Sequence, residues 1–383
     1  MIRILMILCA VALTQVCACD SKPQKVLGKQ EIIVPEEPTG EGETFLKNFE
    51  LDAIVPIETT DEYLVSQIMA GNSRMVRYKN KLVFLNVSPF YVFVINIETG
   101  KVEAFINRKG QGPGEYTYIQ SIAVDERNGN ILVFDSRKLI IFDIDGKFLR
   151  EDKIGDYYMS MTCHDGKVIF KDRVEKGFFS YPYEFFIYDI DSKISRKMGD
   201  TLTQIDIHYG TNPNLVTSKN IWFTAPLDYN LYKFNNGEIE IPYTLTVKDP
   251  IAQTMREKPF SIDVYNIEKI YTISRPVETD RFIFLLTTGG RGIIMINKHT
   301  LECSWEKYIK EDRLGRNLYL MFPVEKDENR VLFIIPGEEM FLCIKHFADK
   351  ISPEWREKIS KMGIVEDSNP VLLFYKEKSS ITN

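Results

Sequence analysis

One short pattern recurs along the chain, and its clearest copy is IIFDIDGK at Ile140–Lys147. It joins a run of β-branched and aromatic residues to a tight Asp-Gly turn, which is a strong local signal for a β-hairpin. Three further copies are VINIETGK at Val94–Lys101, FIYDIDSK at Phe186–Lys193 and LYKFNNGE at Leu231–Glu238. The weakest copy is MINKHT at Met295–Thr300.

The spacing of these copies predicts a β-propeller. Their turn residues lie 46, 46, 45 and 63 residues apart, at Gly100, Gly146, Ser192, Gly237 and Thr300. A repeat of about 40–50 residues with four short strands is typical of a propeller blade, which buries its faces only against neighbouring blades. The last interval is longer because residues 248–266 form a polar insertion that contains proline.

The second repeat contains all four strands of a blade, at 119–125, 131–135, 139–143 and 147–153. Five such repeats fit within residues 66–310, and the chain after them supplies a sixth unit that lacks one strand. The sixth unit also holds a terminal strand, Pro370–Lys376. We expect the N-terminal strand Leu51–Glu58 to complete this unit, because its pairing there closes the ring and removes two exposed sheet edges.

The sequence therefore predicts an all-β fold, a six-bladed β-propeller of four-stranded antiparallel blades over residues 50–383, with seven blades as the alternative. One C-terminal helix is predicted inside the last blade, with Ser352 at its N-cap, Pro353 at its first position and Gly363 at its C-terminal end. Trp355, Ile359 and Met362 share one face of this helix, so it should pack onto the propeller.

The N-terminus resembles a bacterial lipoprotein signal. Residues 1–18 contain one charge and then an apolar run too short to span a bilayer, and a small residue precedes Cys19. We expect lipid attachment at Cys19 and a flexible, membrane-anchored tether over residues 19–49, which are polar and rich in proline and glycine. An ordinary secretory signal is the alternative. We expect the protein to lie in the cell envelope, on the outer membrane. The sequence does not decide between the periplasmic and the outer face of that membrane.

Charge and cysteine content exclude some classes of function. The net charge is −6 and the pI about 5.5, so a nucleic-acid partner has no electrostatic support. The mature cysteines other than Cys19 are Cys163, Cys303 and Cys343, all in apolar runs typical of buried thiols. Whether Cys303 and Cys343 pair is left open, but three cysteines form no disulfide framework.

Several stretches resemble one known family. They are RKGQGPGEY at Arg108–Tyr116, VPIETT at Val55–Thr60, IAVD at Ile122–Asp125, VFDS at Val133–Ser136 and NPVLLFYK at Asn369–Lys376. The chain is similar to the six-bladed β-propeller lipoproteins of Bacteroidetes, whose blades are similar to NHL repeats. The resemblance implies this fold and an envelope location, and it supplies no catalytic residues.

The GQGPGEY loop is the first candidate ligand-binding site. It connects two blades, and three glycines around Pro113 bring backbone N–H groups close together. One interpretation is a polar ligand held by these amides with Arg108, Gln111, Glu115 and Tyr116. The alternative is a tight structural corner that joins adjacent blades.

A second candidate is the aromatic loop around Phe179, Tyr181 and Tyr183, predicted between the second and third strands of blade three. Exposed rings could stack on sugars or anchor a protein partner, although some could instead pack against the blade. No spacing typical of a metal site occurs, and no cofactor is expected. Asp125, Asp135 and Asp143 could bind Ca²⁺ but more plausibly cap turns.

These features favour a binding or scaffold lipoprotein that recognises a glycan, a peptide or a neighbouring envelope protein. The alternative is an envelope hydrolase or lyase, acting on a polysaccharide or lactone, with its site at the propeller channel; His164 or His208 would then act with carboxylates. A third interpretation is a structural spacer in an envelope complex.

Overall fold

The computed structural model of the protein describes residues 29–379, except for residues 63, 66–73, 88, 136, 174–184, 199–214, 218–219, 225–228, 236–237, 249–269, 271, 289–291, 312–313, 315, 319–324 and 328–329. Cys19, the aromatic loop with Phe179, Tyr181 and Tyr183, and His208 lie outside the described residues, as does nearly all of the predicted insertion at 248–266.

Three elements precede the first blade: β1 (Gln30–Ile33), α1 (Glu43–Asn48) and β2 (Phe49–Pro56). The first three blades contain β3 (Arg74–Tyr78), β4 (Lys81–Val87), β5 (Phe90–Asn96) and β6 (Val102–Ile106); β7 (Ser121–Asp125), β8 (Asn130–Asp135), β9 (Lys138–Phe142) and β10 (Phe148–Lys153); and β11 (Tyr158–His164), β12 (Lys167–Arg173), β13 (Phe185–Asp189) and β14 (Ser195–Met198).

Blades four and five contain β15 (Leu215–Thr217), β16 (Ile221–Phe223), β17 (Asn230–Asn235) and β18 (Glu238–Thr246); and β19 (Thr272–Glu278), β20 (Phe282–Thr288), β21 (Gly292–Asn297) and β22 (Cys303–Glu306). A small hairpin follows, β23 (Ile309–Glu311) with β24 (Arg316–Leu318). The last blade contains β25 (Glu325–Asp327), β26 (Arg330–Ile335), α2 (Gly337–His346), α3 (Pro353–Ser360) and β27 (Val371–Glu377).

The six blades form a closed ring, as predicted. The first strands β3, β7, β11, β15, β19 and β25 contact one another in this order, and β25 contacts β3 again. The N-terminal strand β2 is the outermost strand of the last blade and pairs antiparallel with β27, from Phe49 opposite Glu377 to Pro56 opposite Val371. This pairing confirms the expected closure, in which the strand just before the first blade and the last strand of the chain share one sheet.

The core lies between the blades rather than in one centre. Side chains from both faces of the middle strands are buried, so β4, β8 and β21 are continuous runs of apolar residues. Val83, Val94, Ile106, Ile122 and Ile131 belong to one such cluster, which joins blades one and two. Each blade thus depends on its neighbours for burial of its apolar faces.

The predicted helix corresponds to α3, and a second helix precedes it. Ser352 occupies the N-cap of α3, although its hydroxyl makes no capping hydrogen bond. Gly363 has a φ of 64°, and Trp355 and Ile359 are buried against the core as expected. The additional helix α2 lies between β26 and α3 and buries Met340 and Cys343.

The predicted flexible tether over residues 19–49 is wrong for its described end. β1 pairs in parallel with β18 on the outer edge of blade four, and Ile32 and Val34 are buried there. Gly42 N–H then donates to the Glu306 carboxylate at 2.8 Å, and Phe45 of α1 is buried in the core of the last blades. Composition suggested a tether because this polar segment has too few apolar residues to fold alone. When it docks on the blades, however, a few buried apolar side chains are enough to hold it in place.

None of the helices in the described part of the chain is both long and apolar enough to cross a membrane.

Candidate ligand-binding site

The GQGPGEY loop forms the connection from β6 of blade one to β7 of blade two, as predicted. The backbone of Arg108 and Gly110 is paired with that of Tyr116: Tyr116 N–H donates to the Arg108 carbonyl at 2.9 Å, and Gly110 N–H donates to the Tyr116 carbonyl at 3.0 Å. Five residues therefore close into a tight corner between these two pairings. We call the end of the propeller that carries residues 107–120 and the β4–β5 turn the corner face.

Tyr116 points into the protein. Its side chain is fully buried, and its hydroxyl oxygen lies 2.9 Å from the Ile106 carbonyl oxygen and 3.0 Å from that of Phe90. The same oxygen accepts a hydrogen bond from Arg108 N–H at 3.2 Å. Burial raises the pKa of Tyr116 to about 12. Tyr116 therefore joins the corner to two strands of blade one.

Glu115 and Gly114 complete the corner. One Glu115 carboxylate oxygen accepts a hydrogen bond from Gly112 N–H at 2.8 Å, and Gly114 N–H donates to the Glu151 carboxylate at 3.1 Å. Gly114 has a φ of 70°, and a Cβ atom on it would lie 2.5 Å from the Phe148 ring. The glycine thus allows a backbone conformation and a close approach to blade two that other residues would not.

Arg108 and Gln111 are exposed, and Glu115 is half-buried. The Arg108 guanidinium lies 5.7 Å from the centroid of the Phe148 ring, which orients it across the corner. The loop therefore brings three of the four predicted residues together at the surface and places Tyr116 beneath them. Binding of a ligand by Arg108, Gln111 and Glu115 stays a prediction.

An aromatic pair next to the corner, the exposed Tyr118 and the partly buried Phe90, escaped the sequence-based prediction. Tyr118 is 42% exposed, and its ring packs edge-to-face against Phe90, with centroids 4.6 Å apart and planes at 66°. Phe90 begins β5 directly after the β4–β5 turn, so both rings lie on the corner face. Thr117 N–H donates to the Asp135 carboxylate at 2.9 Å and fixes the backbone beside Tyr118. The motif ends at Tyr116, and no pattern in the sequence after it marks Tyr118 as exposed.

Two of the aspartates considered for Ca²⁺, Asp125 and Asp143, cap turns, whereas the Asp135 carboxylate accepts a hydrogen bond from Thr117 N–H in the loop before β7. Asp143 accepts hydrogen bonds from the N–H groups of Asp145 at 3.1 Å and Lys147 at 2.8 Å. Asp125 lies with Glu126 and Cys163 in a group whose ligand atoms are within 4.8 Å of one another. The Arg127 guanidinium, however, bonds both Asp125 oxygens at 2.9 and 2.8 Å. It already supplies the positive charge that a metal ion would bring.

Other carboxylates with a perturbed pKa are also held as anions. Burial alone would raise the pKa of Glu278, but hydrogen bonds from Lys298, Trp222 and Asn220 outweigh it and lower the pKa. Burial opposes a similar lowering at Asp152, where the Lys193 ammonium donates at 2.8 Å. These groups suit structural ion pairs rather than general acids, which need a raised pKa.

The three cysteines among the described residues form no disulfide. They are Cys163, Cys303 and Cys343, and Cys303 is only partly buried. Burial raises the pKa of Cys303 to about 12 and also raises that of Cys163. A raised pKa leaves little thiolate at neutral pH, so neither thiol is suited to act as a nucleophile.

Residues 49–376 match a protein family described as a domain of unknown function, DUF4934. The chain belongs to this family. The match runs from the first residue of β2 to the penultimate residue of β27, so it spans the whole closed ring. Comparison with curated protein sequences finds no match.

Solved structures share the fold of this DUF4934 protein. A Bacteroides fragilis protein described as exported has a TM-score of 0.69 at 19% sequence identity, over 91% of this chain and 100% of that chain. A DUF4221 family member from Bacteroides vulgatus has a TM-score of 0.53 at 9% identity, over 86% and 98% of the two chains. At these identities the likeness is one of fold.

Proposed function

We propose that this DUF4934 protein is a lipid-anchored propeller of the bacterial envelope that binds a glycan on its corner face. The observation that carries the proposal is the exposed Tyr118 ring, held edge-on by Phe90 beside the polar side chains of the corner. A flat aromatic ring with a polar tip stacks on the apolar face of a sugar, while neighbouring polar groups bond its hydroxyls.

The corner supplies those polar groups in fixed positions. Its backbone is held by the pairing between Arg108 and Tyr116, and Arg108 and Gln111 extend from it into solvent. A ligand that binds such a preformed surface loses little free energy to ordering the loop. An aromatic ring beside hydrogen-bond donors and acceptors on a fixed backbone suits an extended saccharide better than a compact ligand that binds through a metal ion.

The signal segment and Cys19 support the envelope location, and the Bacteroides fragilis relative in fold is described as exported. Because β1 docks on blade four, only the residues between Cys19 and Gln30 would link the lipid to the propeller. Eleven residues span at most about 40 Å. The propeller would thus remain close to the membrane, with the outer edge of blade four toward it.

A glycan array probed with the full-length protein in detergent tests the proposal. We expect binding to at least one class of neutral or acidic oligosaccharide and its loss in Tyr118→Ala. The matched control is Tyr78→Ala, a change of the same size at a partly buried tyrosine that ends β3, at the opposite end of the propeller from the corner face.

Unfolding curves of both variants establish that they fold. Equal binding by Tyr118→Ala and the wild type would contradict the proposal, as would an array without any hit. Replacement of Cys19 by Ala tests the anchor separately, because it should release the protein from the membrane and leave array binding unchanged.

A further inference from the structure

A cleft of about 230 Å³ lies between blades three and four, at the end of the propeller opposite the corner face. The β11–β12 turn and strands β13 and β14 form its blade-three wall, and β16 and β17 form its blade-four wall. A water molecule occupies roughly 30 Å³ in the liquid. The cleft therefore has room for a small organic molecule rather than a polymer.

The blade-three wall combines apolar and basic side chains. Ile169 is opposite Ile187, and Ile187 is opposite Arg196, so these three residues form a row across β12, β13 and β14. Lys167 precedes Ile169 by two positions and shares its face of the sheet. Both Lys167 and Arg196 line the cleft.

The blade-four wall is apolar at its centre. Ile221 and Phe234 are opposite each other on β16 and β17, and both line the cleft. Ile169, Ile187 and Ile221 are buried and belong to one cluster, against which Phe234 packs. This apolar floor would accept the hydrocarbon part of a ligand.

One cation of the cleft lacks an acidic partner. The Lys167 ammonium lies 3.8 Å from the Asp165 carboxylate, and Asp189 is opposite Lys167 across β12 and β13, so carboxylates already balance Lys167. Arg196 is exposed, and within the described residues it has no acidic partner. His164 also lines the cleft and is engaged by Glu126, whose carboxylate lies 3.0 Å from Nδ1. Arg196 is therefore the cation available to an anionic ligand.

We propose that this cleft binds a small organic monocarboxylate, with its carboxylate bonded by Arg196 and its apolar part on Ile221 and Phe234. The guanidinium matches a carboxylate in a bidentate geometry. A single available cation suits a monoanion better than a phosphate dianion. The site is on the opposite end of the molecule from the glycan surface and does not depend on it.

Isothermal titration of the full-length protein in detergent tests this assignment with pairs of matched probes. Phenylpropionate and glucuronate are the acids, phenylpropionamide and glucose their uncharged counterparts, and phenyl phosphate the dianion. We expect at least one acid to bind about tenfold or more tightly than its uncharged counterpart. Arg196→Gln should weaken the binding of that acid by about tenfold to a hundredfold, because it removes a charge-assisted hydrogen bond.

Lys197→Gln is the matched control, because it removes the same charge one position along β14, on the opposite face of the strand. It should change the affinity by less than about twofold. The assignment is overturned if neither acid binds, if an uncharged counterpart binds equally, if phenyl phosphate binds more tightly, or if Arg196→Gln retains wild-type affinity.

Discussion

Phe45→Ala tests whether the N-terminal segment is part of the folded propeller. Phe45 is 3% exposed and stacks on Phe49 with centroids 4.9 Å apart. Its ring also packs edge-to-face against Phe333 at 5.4 Å and Tyr375 at 5.2 Å, so it contacts strands of the last blade. Truncation of a buried phenylalanine costs about 3–5 kcal/mol, which combines lost burial with the cavity left behind. We expect a loss in this range.

Urea denaturation followed by tryptophan fluorescence measures the change in the free energy of unfolding. Leu46→Ala is the control, because Leu46 follows Phe45 on the same helix and is only partly buried; it should cost about 1 kcal/mol. A loss below about 0.5 kcal/mol in Phe45→Ala would refute the docked arrangement. Residues up to 49 would then behave as the tether that composition alone suggested.

Three further changes have defined outcomes. Tyr116→Phe should cost about 1–3 kcal/mol in urea denaturation, because buried backbone groups lose their partner; an unchanged midpoint would contradict its structural role. Gly100→Ala should cost about 1–3 kcal/mol or more, since Gly100 has a φ of 72° and a Cβ atom would lie 1.9 Å from the Pro56 carbonyl oxygen. Burial opposes the lowering of the Asp125 pKa by Arg127 but does not cancel it. The ionised Asp125 carboxylate therefore contributes its full stabilisation above the unfolded pKa of about 3.9, and this stabilisation is lost as the pH falls through the folded pKa. The stability difference between wild type and Asp125→Asn should therefore be constant near pH 7 and shrink below about pH 4, and a difference independent of pH would refute this.

Local sequence signals specified most of the fold. The Asp-Gly turn at Gly146 and its equivalents needed only neighbouring residues to be recognised, and those among the described residues lie at hairpins between the third and fourth strands of a blade. The closing strand was predictable for another reason. The last blade lacked one strand and the N-terminal strand lacked a partner, so pairing the two removes an exposed edge from each.

Long-range contacts were harder to anticipate. The segment around Ile32 and Phe45 has the composition of a linker, and its order comes from surfaces more than 200 residues away along the chain. Helix α2 has Pro336 at its N-cap instead of Ser, Thr, Asp or Asn, so it lacks the start signal that Ser352 gave for α3.

The candidate site was only half visible in the sequence. The glycines around Pro113 indicated a sharp corner, and the corner exists. Which side chains point outward depends on how the loop packs on blade one: Tyr116 is drawn inside by two carbonyl groups, and Tyr118 is left outside against Phe90. That choice is made by tertiary packing, which residue spacing does not encode.

Hydrogen–deuterium exchange of the full-length protein, with and without an oligosaccharide selected from the array, tests the role of the corner face most directly. Glycan binding predicts slower exchange in the peptides that cover residues 88–92 and 107–120, with unchanged exchange around the cleft residues Lys167 and Arg196. Protection confined to any other surface, with the corner face exchanging as in the unbound protein, would contradict it.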